Sequence, residues 1–92
     1  LRGVDSHGIR LLPHYCRALG AGRIRARPAL GLTRHAPAAS TLDADHAFGH
    51  HAGMVAMTEA TANARACGVG ICAVKNSTHF GASSYFAVEG AK

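Results

Sequence analysis

Residues Gly68 to Ser83, GVGICAVKNSTHFGAS, are the stretch on which the fold turns. Val69 to Lys75 is a short apolar run carrying β-branched residues and is too short for a helix, so it reads as a buried strand. Gly68, directly after Cys67, is the residue type that ends a helix in the left-handed conformation. Asn76 to Gly81 is polar and reads as a turn, and from Ala82 onward the chain begins another helix. Helix, strand, turn and helix in this order indicate an α/β fold. Side chains just beyond the carboxyl end of such a strand stand where α/β proteins bind ligands. The backbone N–H groups of a following helix attract phosphate, and Gly81 permits close approach of the backbone. Gly68 and Gly70 precede the strand and no GxGxxG occurs, so GVGICAV is not a dinucleotide fingerprint.

Upstream, His50 to Ala66 reads as a helix, with Val55, Ala56, Ala60, Ala62 and Asn63 as a small-residue surface suited to close packing on a sheet. Before it, LDADHAFG is a polar loop ending in Gly49. Ala29 to His35 and Ala38 to Asp43 read as two short strands around Pro37. Arg23 to Arg27 is a basic connector closed by Pro28. Pro13 suits the first turn of a helix. Leu12, Tyr15, Cys16 and Leu19 recur at helical spacing, which predicts a helix over Pro13 to Leu19, with Gly20 and Gly22 as its stop. Asp5 or Ser6 can cap a helical turn ahead of it.

The 92 residues amount to one small domain at most, and a chain this short buries only about 60–65% of its unfolded surface. It begins at Leu1, and Ser83 to Lys92 reads as a helix stopped partway. Residues 1–92 are therefore expected to be the incomplete N-terminal, catalytic part of a single larger chain. No apolar run approaches the roughly 18 residues of a membrane span, and no signal peptide is visible. The net charge of +5 comes largely from arginines in the first third. With few aromatics and no nucleic-acid motif beside them, these read as a solvated face rather than a nucleic-acid surface. Cys16, Cys67 and Cys72 lack CxxC spacing and sit in apolar contexts, as buried small hydrophobes in a reducing cytoplasm would.

Two constellations can carry chemistry. DSHG, Asp5 to Gly8, places His7 beside Ser6 in a turn that can hold the ring in one tautomer, and an imidazole exchanges protons near neutral pH. KNSTHFGAS places His79 after the strand. A third candidate is metal binding: His46, His50 and His51 form H-x-x-x-H-H, and an i, i+4 histidine pair on a helix can chelate zinc. Ala47-Phe48-Gly49 interrupts helix between His46 and His50, and no HExxH glutamate is present, so no metal site is assigned.

Taken together, VDSHGIRLLPHY, the ALGAGRI turn, LDADHAFGHHAG, an Ala-rich helix, GVGICAVKNSTHFG and SSYF resemble the malate/L-lactate dehydrogenase family along essentially the whole chain. This family lacks a Rossmann fold and includes ureidoglycolate, sulfolactate and diketogulonate reductases and piperideine-carboxylate reductase. The resemblance implies helices packed on a mixed, largely antiparallel sheet. It implies that Ser6 and His7 match the Ser-His pair used for proton transfer in several members, and that His79 matches the acid/base of others. His79, Phe80, Gly81, Ala82 and Ser83 match a run lining the cofactor. The Asp that orients the catalytic His in some members lies beyond Lys92.

Two departures stand out. Many members carry Arg four residues after the first His as a carboxylate ligand; here that position is Leu11, preceded by Arg10, which becomes the candidate. The loop commonly reads DG-x-x-G-x-G, whereas Ala44 and Ala47 occupy two of its glycine positions.

The expected function is hydride transfer between NAD or NADP and a small 2-oxo acid, 2-hydroxy acid or cyclic imino acid, in a cytoplasmic homodimer with no nucleic-acid or membrane partner. The rival reading is a non-catalytic histidine-rich metal-binding module.

Overall fold

A computed structural model of the protein describes residues 3–92. Two short 3-10 turns, Asp5–His7 and Ile9–Leu11, lead into helix α1, Leu12–Gly20. Strands β1, Gly31–Ala36, and β2, Ala39–Asp43, form an antiparallel hairpin with an irregularity between Arg34 and Ala36. Helix α2, Gly49–Cys67, crosses over to strand β3, Ile71–Lys75, which pairs parallel to β2. Helix α3, Ser83–Ala91, follows. The sheet order β1-β2-β3 is mixed, with one antiparallel and one parallel ladder.

The sequence predicted this order of elements, with boundaries shifted by one or two residues. α2 ends at Gly68 in the left-handed region, φ 85°. Proline at the start of α1 stands where its missing N–H costs nothing. Three expectations need correction. Neither Asp5 nor Ser6 caps a helical turn, because Val4 occupies that position and the turn has no side-chain cap. β3 is not a buried strand: only Cys72 is partly covered, because α2 takes one face and β2 one edge. Cys16 and Cys67 are exposed and only Cys72 is partly buried.

The core lies between α2 and β2. Ser40 and Leu42 lie on the same, inward face of β2, and Leu42 packs with Ala44, Ala47, Ala52 and Ala56. Small side chains at helical spacing let α2 approach the sheet closely, as Ala56 and Asn63 predicted, although Ala62 faces solvent. A polar network fastens the same two elements. Glu59 Oε1 accepts from Ser40 Oγ at 2.8 Å, from Arg34 at 3.1 Å and from Asn63 Nδ2 at 3.3 Å. Ser40 and Asn63 are buried, so each must find its partner inside the protein.

The parallel register pairs Asp43 with Lys75, so β2 and β3 end side by side and release two adjacent loops. Ala44 N donates to the Lys75 carbonyl and His46 N to the Asn76 carbonyl. Asp43 Oδ1 accepts from Asp45 N at 3.0 Å and from Asn76 Nδ2 at 3.1 Å. Asp45 in turn accepts from Ala29 N at 3.0 Å and pairs with Arg25, which ties the basic connector to the loop. The left-handed residues of the first loop are Asp45, φ 48°, and His46, φ 60°, types that tolerate this region better than most. Ala44 and Ala47 are fully buried and keep negative φ. The two absent glycines are therefore replaced by core methyl groups, while the strain falls on the residues between them.

Candidate active site

The two sequence constellations converge at the ends of the parallel strands. The loop after β3 carries His79, and its ring stacks with that of His7 at 6.0 Å between centroids and 28° between planes. Ser6 Oγ lies 3.1 Å from His7 Nδ1, which fixes that ring and leaves Nε2 for a ligand. Ser6 thus acts on the ring of its neighbour rather than on the helix backbone.

His79 is positioned by contacts the sequence did not suggest. Tyr15, half-buried on α1, places its hydroxyl 2.9 Å from His79 Nδ1. The Gly81 N–H donates to the same nitrogen at 3.2 Å. Gly81 adopts φ 75°, and a Cβ there would lie 2.8 Å from His50 Nε2 and 3.3 Å from the His7 carbonyl oxygen. The whole turn is pinned by Thr78, whose hydroxyl donates to the Ala47 carbonyl and accepts from the Gly49 N–H, each at 3.0 Å. That bond satisfies the first N–H of α2, which has no local side-chain cap. A Cβ on Gly49 would collide with the backbone of Thr78 and His79, so only glycine allows α2 and the His79 turn to meet this closely.

Tyr15 also packs edge-on against His50, with centroids 5.1 Å apart. Partial burial, and secondarily repulsion from His79 whenever that ring is protonated, push His50 below its ordinary value. Burial pushes the Tyr15 phenol up, so its hydroxyl keeps its proton. Tyr15 and His50 are the residues that sequence reasoning missed. In the sequence Tyr15 reads only as part of a helical packing pattern, and His50 only as a possible metal ligand.

A cleft of about 820 Å³ opens beside this cluster, lined by His7, Gly8, His50, Gly81 and Ala82 and by apolar Val4, Ile9, Met54, Phe80 and Phe86. Its volume and mostly apolar wall with a few polar groups are those of small-molecule sites. His79 faces a smaller polar cavity of about 290 Å³ with Tyr15, Arg23 and His46. Of the predicted cofactor run, Phe80, Gly81 and Ala82 line the large cleft, while Ser83 starts α3 and lines the neighbouring groove against Ala56 and Phe86. Arg10 is exposed in the second 3-10 turn and is not among the residues lining the large cleft. Among the described residues, no group of three or more His, Cys, Asp or Glu converges as metal ligands. Among the described residues, no helix is long and apolar enough to cross a membrane.

Comparison with known proteins gives a consistent picture. The family model described as malate/L-lactate dehydrogenase matches residues 1–92. The chain is 39% identical to malate dehydrogenase of Pyrococcus abyssi over 92 residues, covering all of this chain and 25% of that protein. It is 37% identical to L-sulfolactate dehydrogenase of Methanocaldococcus jannaschii over 86 residues, or 94% of this chain and 25% of that one. The solved structure of malate dehydrogenase from Pyrococcus horikoshii superposes with a TM-score of 0.91 at 32% identity, covering 96% of this chain and 25% of that one. The chain therefore spans about a quarter of the length of the relatives it matches.

Proposed function

Because this chain belongs to the malate/L-lactate dehydrogenase family, we propose that residues 1–92 form part of a single larger oxidoreductase acting on small 2-hydroxy and 2-oxo acids. A cyclic imino acid is a further substrate type within the same chemistry. The observation that carries this reading is the stacking of His7 on His79, with His7, Phe80, Gly81 and Ala82 lining the adjoining cleft of about 820 Å³. Phe80, Gly81 and Ala82 would hold the cofactor, NAD or NADP, against this wall, with Ser83 at the neighbouring helix start. When bound, the cofactor supplies or accepts the hydride.

The chain's own residues handle the proton and the substrate. In the reducing direction, His7 gives a proton from Nε2 to the substrate oxygen, and in the oxidising direction it takes one back. Ser6, on Nδ1, keeps that ring in place. His79 acts as the second polar group against the reacting oxygen and the cofactor. Arg10, exposed and without an ion pair among the described residues, is the proposed ligand of the substrate carboxylate, for which a planar guanidinium is well shaped. The protein is proposed to work as a cytoplasmic homodimer.

The test is a panel of 2-oxo acids, 2-hydroxy acids and cyclic imino acids, assayed on the full-length protein with each nicotinamide cofactor. Turnover of at least one small 2-oxo or 2-hydroxy acid is expected. No turnover of any panel member with either cofactor overturns the reading.

A further inference from the structure

His79 Nδ1 receives two contacts, and one of them leaves no choice of direction. A backbone N–H can only donate, so the Gly81 N–H at 3.2 Å requires Nδ1 to be an unprotonated acceptor. The Tyr15 hydroxyl reaches the same atom at 2.9 Å from a helix 64 residues earlier in the chain. A phenol can donate or accept, and here it must donate. Burial keeps its proton in place across the neutral range. Both donors crowd one lone pair, and a proton on Nδ1 would point into the Gly81 N–H. The neutral ring must therefore carry its hydrogen on Nε2.

We propose that Tyr15 is a positioning residue that, with the Gly81 N–H, locks His79 in the Nε2–H tautomer, so that His79 meets the substrate oxygen as a hydrogen-bond donor and not as a base. This rests on the oxidoreductase reading for the identity of the substrate, though not for the tautomer. It divides the labour between the two stacked imidazoles. His7, whose Nδ1 contacts only the rotatable Ser6 hydroxyl, can change protonation without losing a fixed backbone partner. His79 would lose two partners by taking a proton on Nδ1. A neutral donor held in place in advance stabilises negative charge developing on the carbonyl oxygen without needing to reorganise.

The experiment uses the full-length protein with 15N-labelled histidine, comparing wild type and Tyr15→Phe, with His79→Gln to identify the His79 signals. Long-range proton–nitrogen correlation distinguishes the ring nitrogen that bears hydrogen from the one that does not. Wild type is expected to show hydrogen on Nε2 alone, and Tyr15→Phe a mixture of tautomers. Tyr15→Phe should also lower kcat by about three- to tenfold, the scale of one neutral hydrogen bond, with KM for the acid little changed. A wild-type ring with hydrogen on Nδ1, or a Tyr15→Phe ring indistinguishable from wild type, overturns the proposal. A changed tautomer with unchanged kcat overturns Tyr15 as a positioning residue for the reaction. Absence of turnover in wild type defeats the oxidoreductase reading alone, and the nitrogen signals still decide the tautomer. If Tyr15→Phe melts well below wild type, wild-type signals measured across pH decide in its place. Hydrogen on Nε2 throughout the neutral form supports the lock, and tautomer exchange overturns it.

Discussion

Thr78 accepts a hydrogen bond from the N–H of Gly49, 29 positions earlier in the chain, at 3.0 Å. Through this one bond the loop that carries His79 serves as the cap of α2. The same hydroxyl donates to the Ala47 carbonyl, so the histidine turn and the start of the long helix are a single mechanical unit. The geometry of the site is therefore coupled to the stability of the fold.

Thr78→Val tests that coupling, because it keeps the shape and removes the hydroxyl. It leaves the buried Gly49 N–H without a partner and should cost about 1–3 kcal/mol. Urea unfolding of the full-length protein is the measurement. A variant with wild-type stability would mean that water or another group replaces the bond.

Gly81→Ala should damage the site without unfolding the protein. The left-handed conformation costs about 1–2 kcal/mol for a residue with a Cβ, and the methyl would press on His50 Nε2 and the His7 carbonyl oxygen. Cofactor affinity, followed by fluorescence titration, should fall by roughly tenfold, the equivalent of about 1.4 kcal/mol. Unchanged affinity would place the cofactor away from this turn.

His7→Ala and His79→Ala should separate proton transfer from positioning. General acid catalysis is worth about 10²–10⁴-fold, so His7→Ala should lower the single-turnover rate by that order with cofactor binding nearly intact. His79→Ala should weaken cofactor binding, with a smaller effect on the chemical step. The opposite pattern would reverse the two assignments.

The Glu59 network predicts sensitivity to acid. Hydrogen bonds from Ser40, then Arg34 and Asn63, hold its carboxyl below its ordinary value of 4.5, despite an opposing contribution from burial. A depressed folded-state value means that the contribution is fully present above the unfolded value. It is lost as pH falls below about 4.5 and through the folded value. Asp43, held down mainly by the Asp45 N–H and Asn76, acts in the same direction. Glu59→Gln should flatten the acid limb of a plot of denaturation midpoint against pH. An unchanged limb would remove Glu59 from the account.

Treatment of the full-length protein with a strong chelator should leave turnover intact, since His46, His50 and His51 are assigned no metal. Loss of activity restored specifically by zinc would bring those three histidines into the mechanism.

Much of the fold was legible because it is local. The period of α2, its end at Gly68, the apolar run of β3 and the turn before α3 each depend on residues a few positions apart. The segments bearing Ser6, His7 and His79 were legible too, because helix starts and strand ends are where reactive side chains can be displayed. The sequence could not tell that Tyr15 would reach His79, that Thr78 would cap α2, or that His50 would stand against Gly81. Nor could it tell that the left-handed strain would settle on Asp45 and His46 rather than on the two alanines standing in glycine positions. All of these depend on the parallel register that sets Asp43 against Lys75. Once the two strands end level, their loops must share hydrogen bonds, and partners distant in the chain become neighbours. Local propensity selects the elements, whereas register and packing select which side chains meet. For this protein the tertiary structure alone decided that His7 and His79 face one another.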